Sequence, residues 1–114
     1  MKTQAIGARL ILKLDDAQDA GLITRQERDE ILRLDVIVQG HPDAEEAYLA
    51  VEVSEAVDEF DVRRAAKRAE LLAKATGQDV IPAVAGNELV GNTAEEATRC
   101  NVACFLDGRR VGAV

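Results

Sequence analysis

The sequence predicts a single α/β domain in which a mixed β-sheet carries helices on its faces. Three observations predict it. Short runs of β-branched and aliphatic residues alternate with segments of helical period. The later strands follow single helices, which implies crossovers and parallel neighbours, whereas the first two are joined by a short polar stretch and pair antiparallel. Finally, 114 residues without a Pro/Gly/Ser-rich spacer suffice for one modest core and are too few for two ordinary domains. Residues 1–34 form a helical N-terminal part and residues 35–114 the αβ core.

Taken in order, Thr3 to Ala20 places Ile6, Leu10, Ile11, Leu14 and Ala17 at helical spacing, with Gly21 as its stop. The segment RLILKL within it also alternates in part like a strand. Thr24 and Glu27 form a T-x-x-E capping box that opens a short helix to about Leu34. Asp35 to Gly40 and Ala47 to Ser54 read as a hairpin-like pair around Gly40, Pro42 and Asp43. Asp58 to Thr76 is helical, with Asp58 as N-cap, Gly77 at its end and Val62, Ala65, Ala66, Ala69, Leu72 and Ala73 on one face. Asp79 to Ala85 is a short buried strand, in which Pro82 signals an edge, a bulge or an early end. Thr93 caps a helix through Arg99, Val102 to Leu106 is a strand, and Asp107-Gly108 turns the chain into a last strand at Arg110 to Val114.

Composition narrows the function classes. At 47% hydrophobic and 3% aromatic, the core is aliphatic. A net charge of -7 argues against non-specific nucleic-acid binding by the whole surface, so any such contact is local. Apolar runs are far shorter than the roughly 20 residues that span a bilayer, and no cleavable signal is visible, so a cytoplasmic protein without a membrane partner is expected. Cys100 and Cys104 read as small hydrophobes at a helix end and the following strand, since no four-ligand zinc set or secretory context accompanies them. Leu10, Ile11, Leu12 and Leu14 spread over a broad face of the first helix, which suits either packing within the domain or a homodimer.

The chemistry-bearing residues lie around the hairpin. Side chains alternate along a strand, so Glu52 points away from its neighbours Val51 and Val53. If the pair closes about the Asp43/Ala44 junction, facing residues have numbers that sum to 87, and Asp35 lies opposite Glu52. Such pairs have β-carbons about 4.5 to 5.5 Å apart, a distance at which two unpaired carboxylates repel and a bound cation relieves them. Between Leu34 and Val62 the chain has nine Asp or Glu and no Lys or Arg, a field suited to a hard divalent cation held by oxygens. The plainer reading is that Asp35 ends a segment and Glu52 faces water. His41 lies about six residues from Asp35, roughly 20 Å of extended chain, and is discounted as a base.

An Asp at the start of one strand and E-x-S in the next, with VEVSEAVDEFDVRRAAKRAELL and VIPAVAG following, resembles the PD-(D/E)XK nuclease-like superfamily. The resemblance covers about half the chain. It implies a three-layer restriction endonuclease-like fold, a mixed β-sheet flanked by helices. Asp35 and Glu52 would be the acids that hold Mg²⁺ (or Mn²⁺) for phosphodiester hydrolysis, and Ser54 would stand where the superfamily usually has lysine. A serine hydroxyl cannot supply an ammonium's positive charge. Arg33, opposite Ser54 in the same register, or a basic side chain from the following helix could supply it instead. Glu27 or Glu30 could lend a third carboxylate.

On the long helix Arg63, Arg64, Lys67 and Lys74 gather opposite the alanine-rich face. With Arg33, residues 63, 64 and 67 are the candidate nucleic-acid contacts; a solvated face with partners such as Glu70 explains the stripe equally simply. Three functions follow: a metal-dependent nuclease with Asp35, Glu52 and Ser54 as its catalytic set; a nuclease-fold module that binds nucleic acid or protein without cutting; and a small-molecule domain hinted at only by the Gly86-Asn87 loop.

Overall fold

The computed structural model describes residues 7–39 and 47–111. The chain runs through α1 (Ala8–Asp19), α2 (Arg25–Ile31), β1 (Val36–Gln39), β2 (Tyr48–Val53), β3 (Ala56–Val57), α3 (Glu59–Thr76), β4 (Val80–Gly86), β5 (Glu88–Leu89), α4 (Thr93–Cys100), β6 (Ala103–Leu106) and β7 (Arg109–Val111). RLILKL is therefore helical throughout. No described helix is long and apolar enough to cross a membrane.

Five strands form a mixed sheet in the order β1-β2-β4-β6-β7. β1 and β2 are antiparallel, β2, β4 and β6 parallel, and β7 returns antiparallel to β6 through the Asp107-Gly108 turn, where both residues have positive φ. The two crossovers are α3 and α4, as the alternation of patterns requires. β3 and β5 form a separate two-stranded parallel pair. Two residues are too few to show an alternation, so nothing in the sequence announces them.

Helix ends follow local chemistry. The Thr24 hydroxyl accepts from the Glu27 amide at 3.0 Å and the Glu27 carboxylate accepts from the Thr24 amide at 2.8 Å. Asp58 and Asp61 make the same reciprocal box at the start of α3, whose last turn closes on Gly77 at φ 72°. Thr93 does not cap α4. That position belongs to Asn92, and the Thr93 hydroxyl, fully buried, lies between the Val57 carbonyl at 3.1 Å and the Val90 carbonyl. It fastens the start of α4 to the small sheet.

Pro82 sits in β4, which is a central strand. Its ladder with β6 begins one residue later, at Ala83 opposite Ala103, so on that side the first part of β4 is still an edge where a missing N–H costs nothing.

The core divides by sheet face. On one face, α1, α2 and α3 bury Leu10, Leu14, Ile31 and Leu72 against Ile37, Tyr48 and Ala50, and α3 and α4 bury Val62, Ala65 and Ala97 against Val84 and Cys104. On the other, Val51, Ala83 and Ala103 cluster with Val36, Leu49, Ala85 and Phe105, all strand residues. The α/β class, the mixed sheet and its flanking helices are thus observed. The expected third layer is not: among the described residues the helices pack on one face only. In α1, Leu10, Leu14 and Ala17 are buried within the chain and Leu12 is 63% exposed, so the broad apolar face expected to meet a second copy is mostly covered internally.

Candidate active site

The β1–β2 ladder pairs Val36 with Val51, Ile37 with Ala50, Val38 with Leu49 and Gln39 with Tyr48. Each pair sums to 87, the register the alternation predicts. It stops one step short of Asp35 and Glu52. Asp35, exposed just before β1, turns its carboxylate to accept from the Val53 amide at 2.8 Å, where a longer β1 would have supplied a carbonyl. Extension to Arg33 and Ser54 does not occur. The Ser54 amide donates to the Ala85 carbonyl of β4 at 2.9 Å, and its hydroxyl donates to the Ala56 carbonyl at 3.1 Å. Ser54 therefore holds the turn into β3. The Asp43/Ala44 turn and His41 lie outside the described residues.

Glu52 faces the helices, as its parity requires, and is 6% exposed. It meets Arg68 of α3, 7% exposed, whose Nη1 donates to its carboxylate at 3.0 Å while Nε donates to Glu30 of α2 at 2.8 Å. One guanidinium thus bridges two carboxylates from two other elements, with Asp35 close enough to act on Glu52 electrostatically. Burial pushes the Glu52 carboxyl above its usual range; Arg68 pulls it back and the Asp35 charge adds to the rise. Glu30 moves the other way, held low chiefly by the Arg68 hydrogen bond. Arg68 is held more firmly protonated: burial opposes its charge, but its bonds to Glu30 and Glu52 prevail. One guanidinium is bonded to both acids, and the two part because Glu52 is the more deeply buried.

Arg68 is the residue the sequence reading passed over. It lies three residues beyond Ala65 and four before Leu72, on the apolar side of α3, and a lone arginine among alanines and leucines is the signal that something anionic faces it. Of the two helix acids, Glu30 joins this cluster, through its bond to Arg68, while Glu27 caps α2 and pairs with Lys74.

The expected cation stripe is largely committed to structure. Arg63 pairs with Glu59 and Glu96, both at 3.1 Å, Arg64 pairs with Asp61, and Lys74 reaches Glu27 at 3.2 Å. These pairs answer the acid-rich stretch from within, because the arginines that follow it in sequence fold back onto it. As nucleic-acid contacts, Arg63 and Arg64 are weakened by these bonds. Arg33 and Lys67 are both exposed, and both lie near enough to Glu30 to help hold its carboxyl low.

A second acid–guanidinium cluster joins α3 to α4. Glu96, 9% exposed, accepts from Arg63 Nε at 3.1 Å and from Arg99 Nε at 3.2 Å, and the Cys100 thiol lies 3.6 Å away. Its carboxyl is held down to about 2, first by the Arg99 hydrogen bond. Both cysteines are free, Cys100 ending α4 and Cys104 buried in β6, where burial raises its thiol.

The Gly86-Asn87 hint of a small-molecule site has a packing explanation. A β-carbon on Gly86 would stand 2.0 Å from the Ser54 carbonyl oxygen and 2.8 Å from the Val57 side chain. Only glycine lets β4 pass so close to the turn after β2.

No family model, curated protein or solved structure matches this chain. The site must be read from its own geometry. Among the described residues no three His, Cys, Asp or Glu side chains gather as a metal-ligating group.

Proposed function

We propose that the protein is a metal-dependent nuclease-like phosphodiesterase whose site comprises Asp35, Glu52 and Arg68. The observation that carries this reading is the placement of Arg68: a cation from the helix after E-x-S reaches the buried Glu52, at a site where Ser54 offers none. Asp35 and Glu52 would hold Mg²⁺ or Mn²⁺, which supplies an acidified water and charge neutralisation at a phosphate when bound. The chain does the rest. Burial keeps Glu52 in a place where charges act strongly on one another, Glu30 fixes the direction of Arg68, and Arg33 and Lys67 beside Glu30 give the site a positive rim for a nucleic-acid backbone. The three-layer restriction endonuclease-like fold that goes with the superfamily belongs to the same proposal.

Incubation of the protein with single-stranded, duplex and branched DNA and with RNA, in Mg²⁺ or Mn²⁺, tests it. Cleavage that Asp35→Ala and Glu52→Ala both abolish is the expected result; no cleavage of any substrate in either metal would overturn it. One observation favours a second reading. Glu52 already has a counter-ion in Arg68, and the Asp35 carboxylate already accepts from Val53, so the cluster can serve as an internal brace in a module that binds nucleic acid or a protein without cutting. Retention of DNA or RNA on the parent, reduced in an Arg33→Ala, Lys67→Ala double variant and unaccompanied by cleavage, is the outcome that selects it.

A further inference from the structure

We propose that the sheet face opposite the helices is the interface of a homodimer, in which two copies stack sheet on sheet about a two-fold axis that runs along β4. The arrangement does not depend on any catalytic activity.

Residues opposite one another in a ladder point to the same side of the sheet. Reading the registers across the five strands therefore sets Val36, Val51, Ala83 and Ala103 in one row on the side away from the helices, and Val53, Ala85, Phe105 and Arg110 in the next. Ile81 stands in the row on the other flank. No carboxylate of these strands is on this side, because Glu52 points to the helices. Two copies of a chain of net charge -7 can meet there without bringing acids together. Val53 and Ile81 are 53% and 52% exposed, large apolar groups of the kind that another surface covers. Strands about 4.8 Å apart, with three outward positions about 6.7 Å apart along β2, offer roughly 480 Å² per copy before the relief of the side chains is counted, so a pair buries roughly the 1,000 Å² that a specific interface requires.

Charge and shape select a second copy as the occupant and fix its placement. An axis along β4 lays β2 of one copy over β6 of the other and β1 over β7, with levels along the strands kept. Val51 then faces Ala103, a larger side chain over a small one, and Ile81 faces its own counterpart. Arg110 is the charged side chain of this face, and among the described residues no carboxylate pairs with it. It comes over the start of β1 in the second copy, within one residue of the level of the exposed Asp35. One oxygen of that carboxylate accepts from Val53, and a carboxylate accepts more than one hydrogen bond. The axis makes this match twice. An axis across the strands would instead stack β7 on β7 and gather both Arg110 side chains at one edge.

Sedimentation velocity on the intact protein from about 5 to 200 μM, a range suited to an interface at the small end of the scale, tests the proposal. The parent is expected to be dimeric at the top of that range and to dissociate on dilution. Ile81→Glu sets two carboxylates against each other on the axis and should weaken association about a hundredfold; Arg110→Glu puts an acid beside Asp35 and should weaken it about tenfold. Leu12→Glu, at a still more exposed apolar position on α1, should leave it unchanged. All three positions are exposed, so the variants should fold, which circular dichroism checks. In the parent itself, a mixed sample of ¹³C-labelled and unlabelled chains should show contacts between Ile81 methyl groups of different copies. A parent that stays monomeric overturns the proposal and leaves the face to a different partner. So does a dimer that Leu12→Glu dissolves and Ile81→Glu spares, or one without the Ile81 contacts. Arg110→Glu chains that associate as tightly as the parent overturn it as well, because the axis along β4 would then be wrong.

Discussion

Two clusters built from the same chemistry sit five residues apart on α3 and behave in opposite ways. At Arg68 one guanidinium serves two carboxylates, and the buried Glu52 is pushed toward its protonated form. Around Glu96 the count differs: two guanidinium groups, Arg99 and the Arg63 that also pairs with Glu59, serve that carboxylate, and Glu96 is held ionised down to about 2. Burial of Glu52 beside one bonded guanidinium, against two on Glu96, sets the two carboxyls moving in opposite directions.

The largest expected effect breaks the comparison at its arginines. Arg68→Met leaves Glu52 and Glu30 facing each other without a counter-ion and should cost roughly 3–5 kcal/mol, the usual consequence of removing one partner from a buried pair. Arg63→Met leaves Glu96 with Arg99 and should cost a small fraction of that. Urea denaturation of both variants at neutral pH checks the order; equal losses would mean that the two clusters are energetically alike.

Next in size is the pH dependence, whose sign differs between the clusters. The Glu52 carboxyl is raised above 4.5 by folding, so the folded chain binds that proton more tightly than the unfolded chain. The resulting stability is complete below 4.5 and is lost as pH rises through the raised value. Glu96 is depressed from 4.5 to about 2; its contribution is present above 4.5 and disappears as pH falls toward 2. Subtracting Glu52→Gln from the parent should therefore give a difference that falls with rising pH, and subtracting Glu96→Gln one that rises. Denaturant midpoints measured from about pH 2 to 7 decide it.

The smallest effect sharpens the comparison through α2, which touches only the first cluster. Thr24→Ala removes half of the capping box and should cost about 1 kcal/mol. It should also loosen the Glu30 anchor and leave the Glu96 cluster untouched, so hydrogen exchange at Arg68 Nε should quicken while that at Arg99 Nε stays as it was.

Much of the hairpin was legible because strand parity is strict. With Asp35 to Gly40 and Ala47 to Ser54 as strands around a polar turn, the register and the direction of Glu52 follow. The same arithmetic applied to α3 would have put Arg68 with Ala65 and Leu72, but cations were sought on the exposed stripe, where charge normally resides, and the buried one was passed over. The T-x-x-E pattern at Thr24 was a capping box; the same spacing at Thr93 was not, because tertiary packing claims the Thr93 hydroxyl for the Val57 carbonyl. The register that would set Asp35 opposite Glu52 holds through Val36 and Val51, and the ladder stops one step before that pair. The Asp35 hydrogen bond to the Val53 amide depends on where β1 begins, which pattern alone does not determine.

The sheet face formed only by strand side chains has a calorimetric consequence. Val53 is 53% and Ile81 52% exposed, so part of the apolar surface that an ordinary domain would hydrate only on unfolding is hydrated already. For 114 residues the usual heat-capacity increment of unfolding would be about 1.4–1.7 kcal/mol/K; this chain should fall below that range. Its stability curve should be correspondingly flat, and a partner laid over that face should restore the missing curvature as a negative heat capacity of association.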